Sequence, residues 1–329
     1  MASKKRKRPA KRTQHFLSFA AGLAFPICIA LGWHAAYGQQ DLPEPPGTSR
    51  PASPSSVQKT PEQELAELDP VFARMVRKPT LERLNRTIKM WEKSPKVVRI
   101  LEERRRRLME LPPAYYEFIR GDVTAAMAKA GKSFENSQFF VYADRNPVAQ
   151  FVTVGLYEKQ TGQIAFLGTD LISSGNISKG GDYFETPVGV FENLVDNFSY
   201  RAMGTPNQDG WRGLGVKDSR VWDFGDQPGL KKYKDGTTVS QMRLLMHSTD
   251  PDKGEPRLGR IDSKGCIRIS NGLNRFLDTY SILDRNYEEW AASRPNSWLL
   301  RKDRTPTPFA GKFLIIGDSS PRVQASGTK

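Results

Sequence analysis

The chain has very few of the side chains that bind metals, form disulfides or carry protons at neutral pH. Its 329 residues include two cysteines, Cys28 and Cys266, and three histidines, His15, His34 and His247. With no paired cysteines and no cluster of histidines, the sequence predicts no zinc site. It also has no glycine-rich phosphate loop after a predicted strand and no internal repeat. We therefore expect neither a metal nor a cofactor.

Residues 1–38 are typical of an export signal. The stretch Met1–Arg12 carries seven Lys or Arg and no acid, and an apolar run follows at Phe16–Trp33. Small residues at Ala36 and Gly38 precede a cleavage point, which favours a cleaved signal peptide over a retained membrane anchor. We expect an exported protein of the periplasm or cell envelope. If the segment is kept, the N-terminus would also bring the protein to the membrane surface.

The charge of the chain falls when that segment is set aside. The formal net charge is +14, from 50 Lys or Arg and 36 Asp or Glu. Without the seven N-terminal cations, 43 basic residues face 36 acidic ones, a net charge of +7. A mildly basic exported protein suits anionic neighbours such as cell-wall polymer or phospholipid headgroups, and no nucleic-acid partner is expected.

Composition divides the rest of the chain into four segments. Residues 39–64 are rich in Pro and Ser and poor in large apolar side chains, which predicts a linker. Residues 65–133 have helical spacing, residues 134–317 have short β-rich runs, and residues 318–329 form a polar tail. The sequence leaves open whether the helical extension packs on the β-rich region or stands apart.

Apolar residues in the helical extension recur at three- and four-residue steps, which puts them on one helix face. They are Leu81, Leu84, Ile88 and Trp91. Pro95 and the pair Pro112–Pro113 are expected to interrupt the helical pattern. The charged run Glu102–Arg107 favours a solvated helix face with internal ion pairs over a dedicated polyanion site.

Short runs rich in β-branched and aromatic residues predict six strands. They are Gln138–Tyr142, Gln150–Tyr157, Gln163–Gly168, Gly189–Phe191, Met242–His247 and Lys312–Ile316. Asn271 is the expected N-cap of a helix with a strongly apolar face. That face comprises Leu273, Phe276, Leu277 and Tyr280. The pattern favours a mainly β domain after the helical extension, and an α+β fold overall.

If export removes the signal, the chain keeps one cysteine, Cys266, and one histidine, His247. A cysteine nucleophile needs a neighbour that accepts its proton, and imidazole has a suitable pKa. Taken singly, an inert buried cysteine and a structural histidine are the simpler interpretations. In an oxidising compartment, however, an unpaired thiol is a liability. Gly265 also allows a tight turn with N–H groups beside the sulfur, as a developing oxyanion requires, and the catalytic interpretation is favoured.

The residues around this pair form a longer motif. They are His247, Ser263, Gly265, Cys266, Ile267, Arg268 and Asn271, with an upstream turn and strand at Thr186–Phe191 after Ser173–Gly175. The motif resembles that of the YkuD-domain L,D-transpeptidases of bacterial cell walls, in which a histidine at a strand end precedes a Ser/Thr-His-Gly-Cys-hydrophobic-Arg segment. The resemblance covers about residues 138–285. Lys264 and Ser248 stand where the family commonly has His and Gly.

The resemblance implies a β-sandwich catalytic domain with a few short helices. It also implies acyl transfer on peptidoglycan stem peptides through a cysteine thioester, as a step in cell-wall synthesis that contributes to cell shape. Cys266 would be the nucleophile and His247 the general base. The N–H groups of Gly265 and Cys266 would hold the oxyanion, and Ser263 would orient the imidazole.

Four further residues are expected near the substrate. Arg268 would either bind a carboxylate or brace the loop through backbone carbonyls, and bracing is favoured. Thr186 belongs to a segment that lines the cleft in the family, and Ser248 follows the histidine. The cation of Lys264 would either lower the pKa of the thiol or face solvent, and the two alternatives have equal weight.

The long insert before His247 contains three aromatic residues, Trp211, Trp222 and Tyr233. They would form either a lid over the cleft or a small core of the insert itself.

Two other functions remain open at this point. Water could replace the acceptor amine, which would make the protein a cysteine hydrolase of cell-wall peptides. Alternatively, the scaffold could serve a wall-binding protein without catalysis. The sequence fixes neither the acceptor amine nor the oligomeric state.

Overall fold

The structure is a computed structural model that describes residues 59–294 and 298–320. Helices dominate up to residue 129, and strands dominate from residue 138 to residue 317. The chain therefore has an α+β fold, as the sequence predicts. The expected export signal at 1–38, the linker up to residue 58 and the tail from residue 321 lie outside the described residues.

Four helices precede the first strand. They are α1 (Pro61–Phe72), α2 (Lys78–Met90), α3 (Pro95–Met109) and α4 (Pro113–Lys129). Pro95 and Pro113 occupy the first helical position, where the missing N–H has no partner to lose, so these prolines start new helices. Glu102 and Glu103 pair with arginines of the same helix, which confirms the solvated charged face of α3.

The predicted end of the linker at residue 64 is wrong, because α1 begins at Pro61. The hydroxyl of Thr60 accepts the N–H of Gln63, whose side chain in turn accepts the N–H of Thr60. This reciprocal capping box satisfies two N–H groups of the first turn and fixes the start of the helix. A π-helical turn at Ala73–Arg77 then connects α1 to α2.

Nine strands and two more helices lie in the described residues. The strands are β1 (Gln138–Asp144), β2 (Phe151–Tyr157), β3 (Ile164–Leu171), β4 (Gly189–Glu192), β5 (Tyr200–Arg201), β6 (Arg220–Tyr233), β7 (Gly236–Ser248), β8 (Ile267–Ile269) and β9 (Phe313–Gly317). The helices are α5 (Asn271–Thr279) and α6 (Arg285–Ala292). One sheet has the order β3-β2-β1-β9-β4, and the other has the order β5-β6-β7-β8.

The two sheets share one hydrophobic core. Val141 and Leu314 of the first sheet belong to the same cluster as Met246 and Ile267 of the second, and each is less than 1% exposed. Because side chains alternate along a strand, the residues between these core positions face the other side of each sheet. The candidate site lies on that other side of the four-stranded sheet.

The helical extension packs on the sheets and does not stand apart. The ring of Phe72 on α1 meets the ring of Phe276 on α5 edge-on, with centroids 5.2 Å apart. Ile119 of α4 shares a cluster with Phe140 of β1. All described residues fall within one compact unit, so no boundary near residue 133 separates two domains.

The six predicted strands are confirmed, but β6 and the first half of β7 are missing from the prediction. Gly225, Pro228 and Gly229 break the β-pattern of β6. Proline is tolerated there because β5 pairs only with Arg220 and Val221, which leaves β6 an edge strand further along. The expected cap of α5 is also one residue too late, since the hydroxyl of Ser270 accepts the N–H of Leu273.

Membrane spans were sought in residues 59–294 and 298–320, and none of the helices there is long and apolar enough to cross a bilayer.

Candidate active site

The candidate nucleophile and base lie on neighbouring strands and face the same side of the sheet. In the parallel ladder of β7 and β8, His247 is opposite Arg268, and Cys266 immediately precedes β8. Ile267 and Ile269 are fully buried in the core. Cys266 and Arg268, which alternate with them, therefore face away from the core, as His247 does. The structure therefore places all three side chains on the same face of the four-stranded sheet.

The same row continues across the four-stranded sheet. Val221 of β6 lies opposite His247, and Tyr200 of β5 lies opposite Val221. Asp223 pairs with Leu245, the residue two before His247. Tyr200 and Asp223 are thus neighbours of the thiol that sequence reasoning missed. These two residues could be assigned to the site only from the strand register, and a single sequence does not reveal that register.

The thiol of Cys266 is half-buried and lies 3.8 Å from the carbonyl oxygen of Arg243, to which it donates. Burial raises its pKa, because the thiolate loses water. The backbone N–H of Leu245, the charge of Arg268 and the N–H of Cys266 itself oppose that rise. The net effect is a raised pKa, so the resting cysteine is a neutral thiol at pH 7.

The imidazole of His247 is buried and neutral. Its Nδ1 lies 2.6 Å from the carbonyl oxygen of Ser248, which can only accept, so Nδ1 carries the proton and Nε2 is the free base. Burial is the main cause that lowers the pKa of His247, the Ser248 carbonyl opposes it and the charge of Arg268 adds to it, and together they bring the pKa to about 4. Within residues 59–294 and 298–320, no hydrogen bond joins His247 to Cys266.

The cysteine loop, residues 263–266, is held by Ser263. The buried hydroxyl of Ser263 donates to the carbonyl of Cys266 at 2.6 Å and accepts the N–H of Gly265 at 3.0 Å. Two expectations are therefore wrong. Ser263 does not orient the imidazole of His247, which is held by Ser248, and the N–H of Gly265 is already paired and is no free oxyanion donor.

Gly265 is required for its conformation. Its φ of +131° is one that residues with a side chain rarely adopt. A Cβ at this position would also lie 2.7 Å from Cε of Met242. The glycine thus shapes the turn that presents Cys266, in agreement with the tight turn expected from the sequence.

Thr186 braces the same loop from the other side. Its side chain is fully buried, accepts the N–H of Gly175 at 2.8 Å and donates to the carbonyl of Gly265 at 2.7 Å. The expectation that Thr186 contacts substrate is therefore wrong, because no surface of this side chain is left to meet one.

Arg268 is held by an acidic neighbour. Its guanidinium lies 3.4 Å from the carbonyl oxygen and 3.5 Å from the carboxylate of Asp262. Asp262 also pairs with Lys179 and Arg257, each at 2.7 Å. These contacts agree with the bracing role favoured for Arg268, whose side chain is 19% exposed.

The two positions that depart from the family motif have different surroundings. Ser248 is fully buried and its hydroxyl donates to the carbonyl of Leu214 at 3.3 Å, so the expectation of a substrate contact is wrong. The side chain of Lys264 is 59% exposed and lies 3.7 Å from Asp182. Arg268, and not Lys264, is the cation that acts on the pKa of the thiol.

The three aromatic residues of the insert lie in three different parts of the structure. Trp222 is fully buried and its indole N–H donates to Asp284 at 3.1 Å, so it belongs to the core. Tyr233 lies at the exposed tip of the β6–β7 hairpin. Only Trp211 lies beside the site, with its ring 5.9 Å from the guanidinium of Arg268.

The part of the chain that the structure describes contains no group of three or more His, Cys, Asp or Glu side chains placed to hold a metal ion. No protein-family model matches the chain, and no curated protein matches it. The geometry and the motif of the site therefore carry the argument for its function.

Proposed function

We propose that the chain is a cysteine acyltransferase of the L,D-transpeptidase type that acts on peptidoglycan stem peptides. The observation that supports this most directly is the placement of Cys266 and His247 on one face of adjacent strands. A half-buried thiol beside a neutral imidazole is the pair that nucleophilic acyl transfer requires. The two packed sheets with peripheral helices agree with the YkuD-type sandwich that the motif resembles.

In the proposed reaction, the sulfur of Cys266 attacks the carbonyl carbon that follows an L-centre of the stem peptide. Nε2 of His247 takes the thiol proton as the C–S bond forms. The C–N bond to the terminal D-alanine then breaks, and the imidazolium returns the proton to the leaving amine. An acceptor amine attacks the thioester, gives its proton to His247 and restores the thiol.

Proton transfer accompanies the attack, because both partners are neutral at rest. The raised pKa of Cys266 and the lowered pKa of His247 disfavour a standing thiolate–imidazolium pair. Hydrogen bonds between catalytic groups are often long without substrate and shorten in the complex. The N–H groups of Leu245 and Cys266 favour the thiolate and so stabilise the negative charge that develops on the sulfur as its proton leaves.

The proposed location of the protein is the cell envelope, where peptidoglycan is found. A mildly basic chain with the export signal expected at residues 1–38 suits an anionic wall polymer in the cell envelope, with peptidoglycan stem peptides as partners. The signal and the charge of the mature chain agree with this location, and no cofactor has a part in the proposed chemistry.

Mass spectrometry of products from purified muropeptides tests the proposal. Wild type is expected to release D-alanine and form cross-linked dimers, while Cys266→Ala forms none. Trimmed monomers alone would show hydrolysis in place of transfer. If wild type leaves the muropeptides unchanged and gains no mass from a carbapenem, the scaffold is a binding protein and the proposal is wrong.

A further inference from the structure

Five lysines lie on one surface beside the cysteine loop, which we call the lysine surface. They are Lys179, Lys264 and the three hairpin lysines, Lys231, Lys232 and Lys234. They come from three separate segments: the turn at 178–182, the tip of the β6–β7 hairpin and the cysteine loop. All except Lys264 line a hollow of about 520 Å³.

Few acids offset these charges. Asp182 is the one carboxylate that lines the hollow, and it lies 3.7 Å from Lys264 with its side chain 80% exposed. Lys179 pairs with Asp262 at 2.7 Å. Asp235 follows Lys234 at the hairpin tip, but among the described residues the three hairpin lysines form no ion pair. Like charges gathered in a concave surface produce a positive potential that attracts anions.

Aromatic rings contact three of the lysines, and one of these is Lys264, whose Nζ lies 5.8 Å from the ring centre of Tyr183. Nζ of Lys231 lies 5.1 Å from the ring centre of Phe184 and 5.4 Å from that of Tyr233. Nζ of Lys179 lies 5.0 Å from the ring centre of Tyr183. Contacts of this kind orient an ammonium group without neutralising it. These ring contacts therefore restrain the lysines that make them and leave their charge in place.

The lysine surface is continuous with the candidate active site. The N–H of Phe184 donates to the carbonyl of Lys264 at 3.1 Å, and Phe184 also forms a β-bridge with Lys231. Lys264 is two residues before Cys266. The lysine surface therefore adjoins the loop that carries the thiol.

We propose that the lysine surface binds the free carboxylates of peptide stems in polymeric peptidoglycan. This inference rests on the proposed function, and it adds that the enzyme engages the polymer through charge as well as through the reacting peptide. Carboxylates are the anions that stem peptides carry, and lysines that lack an ion pair within the protein are suited to them. A lipid surface fits less well, because the exposed large apolar side chains of the hairpin are only three, Leu230, Tyr233 and Val239.

Co-sedimentation of the full chain with insoluble peptidoglycan tests this inference. All proteins carry Cys266→Ala, so that binding is measured without turnover. The test variant replaces the three hairpin lysines with glutamine. The control variant carries Lys89→Gln, Lys93→Gln and Lys96→Gln, which remove the same charge from three exposed positions at the end of α2, in the turn that follows it and at the start of α3. The N-terminal cations are common to all proteins.

The test variant is expected to bind about tenfold more weakly than the control variant, with the difference lost at high salt. Peptidoglycan whose carboxylates have been converted to methylamides is expected to bind both variants equally. Equal binding of both variants to untreated peptidoglycan would overturn the inference. Lysine-dependent binding to vesicles of phosphatidylglycerol, without any to peptidoglycan, would overturn it in favour of lipid.

This result is separable from the proposed function. Absence of acyl transfer with lysine-dependent binding would refute the reaction and leave the surface. Acyl transfer by wild type, together with equal binding of both variants, would refute the surface and leave the reaction.

Discussion

The side chains of His247 and Cys266 share one face of the four-stranded sheet, on strands that run parallel to each other. His247 is opposite Arg268, and Cys266 is two residues before Arg268, so the thiol and the imidazole are diagonal neighbours with one guanidinium beside both. This relationship comes from the β7–β8 register and not from their separation of nineteen residues in the sequence.

The charge of Arg268 lowers the pKa of both groups, so Arg268→Gln is expected to raise both. Alkylation of Cys266 by iodoacetamide, followed on its own peptide by mass spectrometry, reports the thiol. NMR titration of His247 reports the imidazole.

Arg257→Gln is the matched control for that variant. Arg257 pairs with the same Asp262 and lies over the same Trp211 ring, but it is not among the causes of either pKa shift. If Arg257→Gln moves both pKa values as far as Arg268→Gln, the effect is structural and the electrostatic account fails.

The lowered pKa of His247 predicts a pH-dependent stability. The folded imidazole has a pKa of about 4 against 6.5 for the free group, so the unfolded chain binds the additional proton between these values. The stabilisation is complete above pH 6.5 and is lost as the pH falls toward 4. The full effect is roughly 3 kcal/mol in the free energy of unfolding.

Urea unfolding of wild type and His247→Asn at pH 7 and pH 4 measures this effect. Asparagine keeps a donor for the Ser248 carbonyl but does not titrate. Wild type is expected to lose more stability than the variant over this range, and equal losses would show that the imidazole is not buried in its neutral form.

The raised pKa of the thiol predicts slow alkylation at neutral pH. The rate at Cys266 is expected to keep rising with pH beyond the ordinary thiol pKa of roughly 8.5 and to level off only above it, because the thiolate is the reactive species. A plateau already reached at pH 7 would instead indicate a standing thiolate, and with it a different resting state of the pair.

Ser263→Ala tests the brace of the cysteine loop. The variant leaves the N–H of Gly265 and the carbonyl of Cys266 without their partner, which costs about 1–3 kcal/mol in the free energy of unfolding. We also expect kcat/KM to fall roughly tenfold as the thiol loses its fixed position.

The control for this variant is Ser293→Ala, which removes an exposed hydroxyl whose one hydrogen bond among the described residues is to the carbonyl of Trp290. It is expected to leave both stability and kcat/KM unchanged. A Ser263→Ala protein as stable and as active as Ser293→Ala would show that the loop holds its shape without this hydroxyl.

Local patterns in the sequence were sufficient for part of this account. The six predicted strands are runs of β-branched and aromatic residues. Cys266 and His247 could be singled out because cysteine and histidine are so rare in this chain. The roles of Ser263, Thr186 and Ser248 could not be predicted in this way. Their hydroxyls form hydrogen bonds with backbone groups of the loop or the insert. Tertiary packing determines which backbone groups lie within reach. Thr186, for example, lies 79 residues from the Gly265 carbonyl to which it donates.

Formation of an acyl-enzyme is the most direct test of the central claim. Intact-mass spectrometry after incubation with a stem tetrapeptide is expected to show wild type carrying the peptide less its terminal D-alanine. Cys266→Ala should gain no mass, and His247→Asn should form the adduct at least roughly a hundredfold more slowly. An adduct that persists in Cys266→Ala, or forms at the wild-type rate in His247→Asn, would contradict the account.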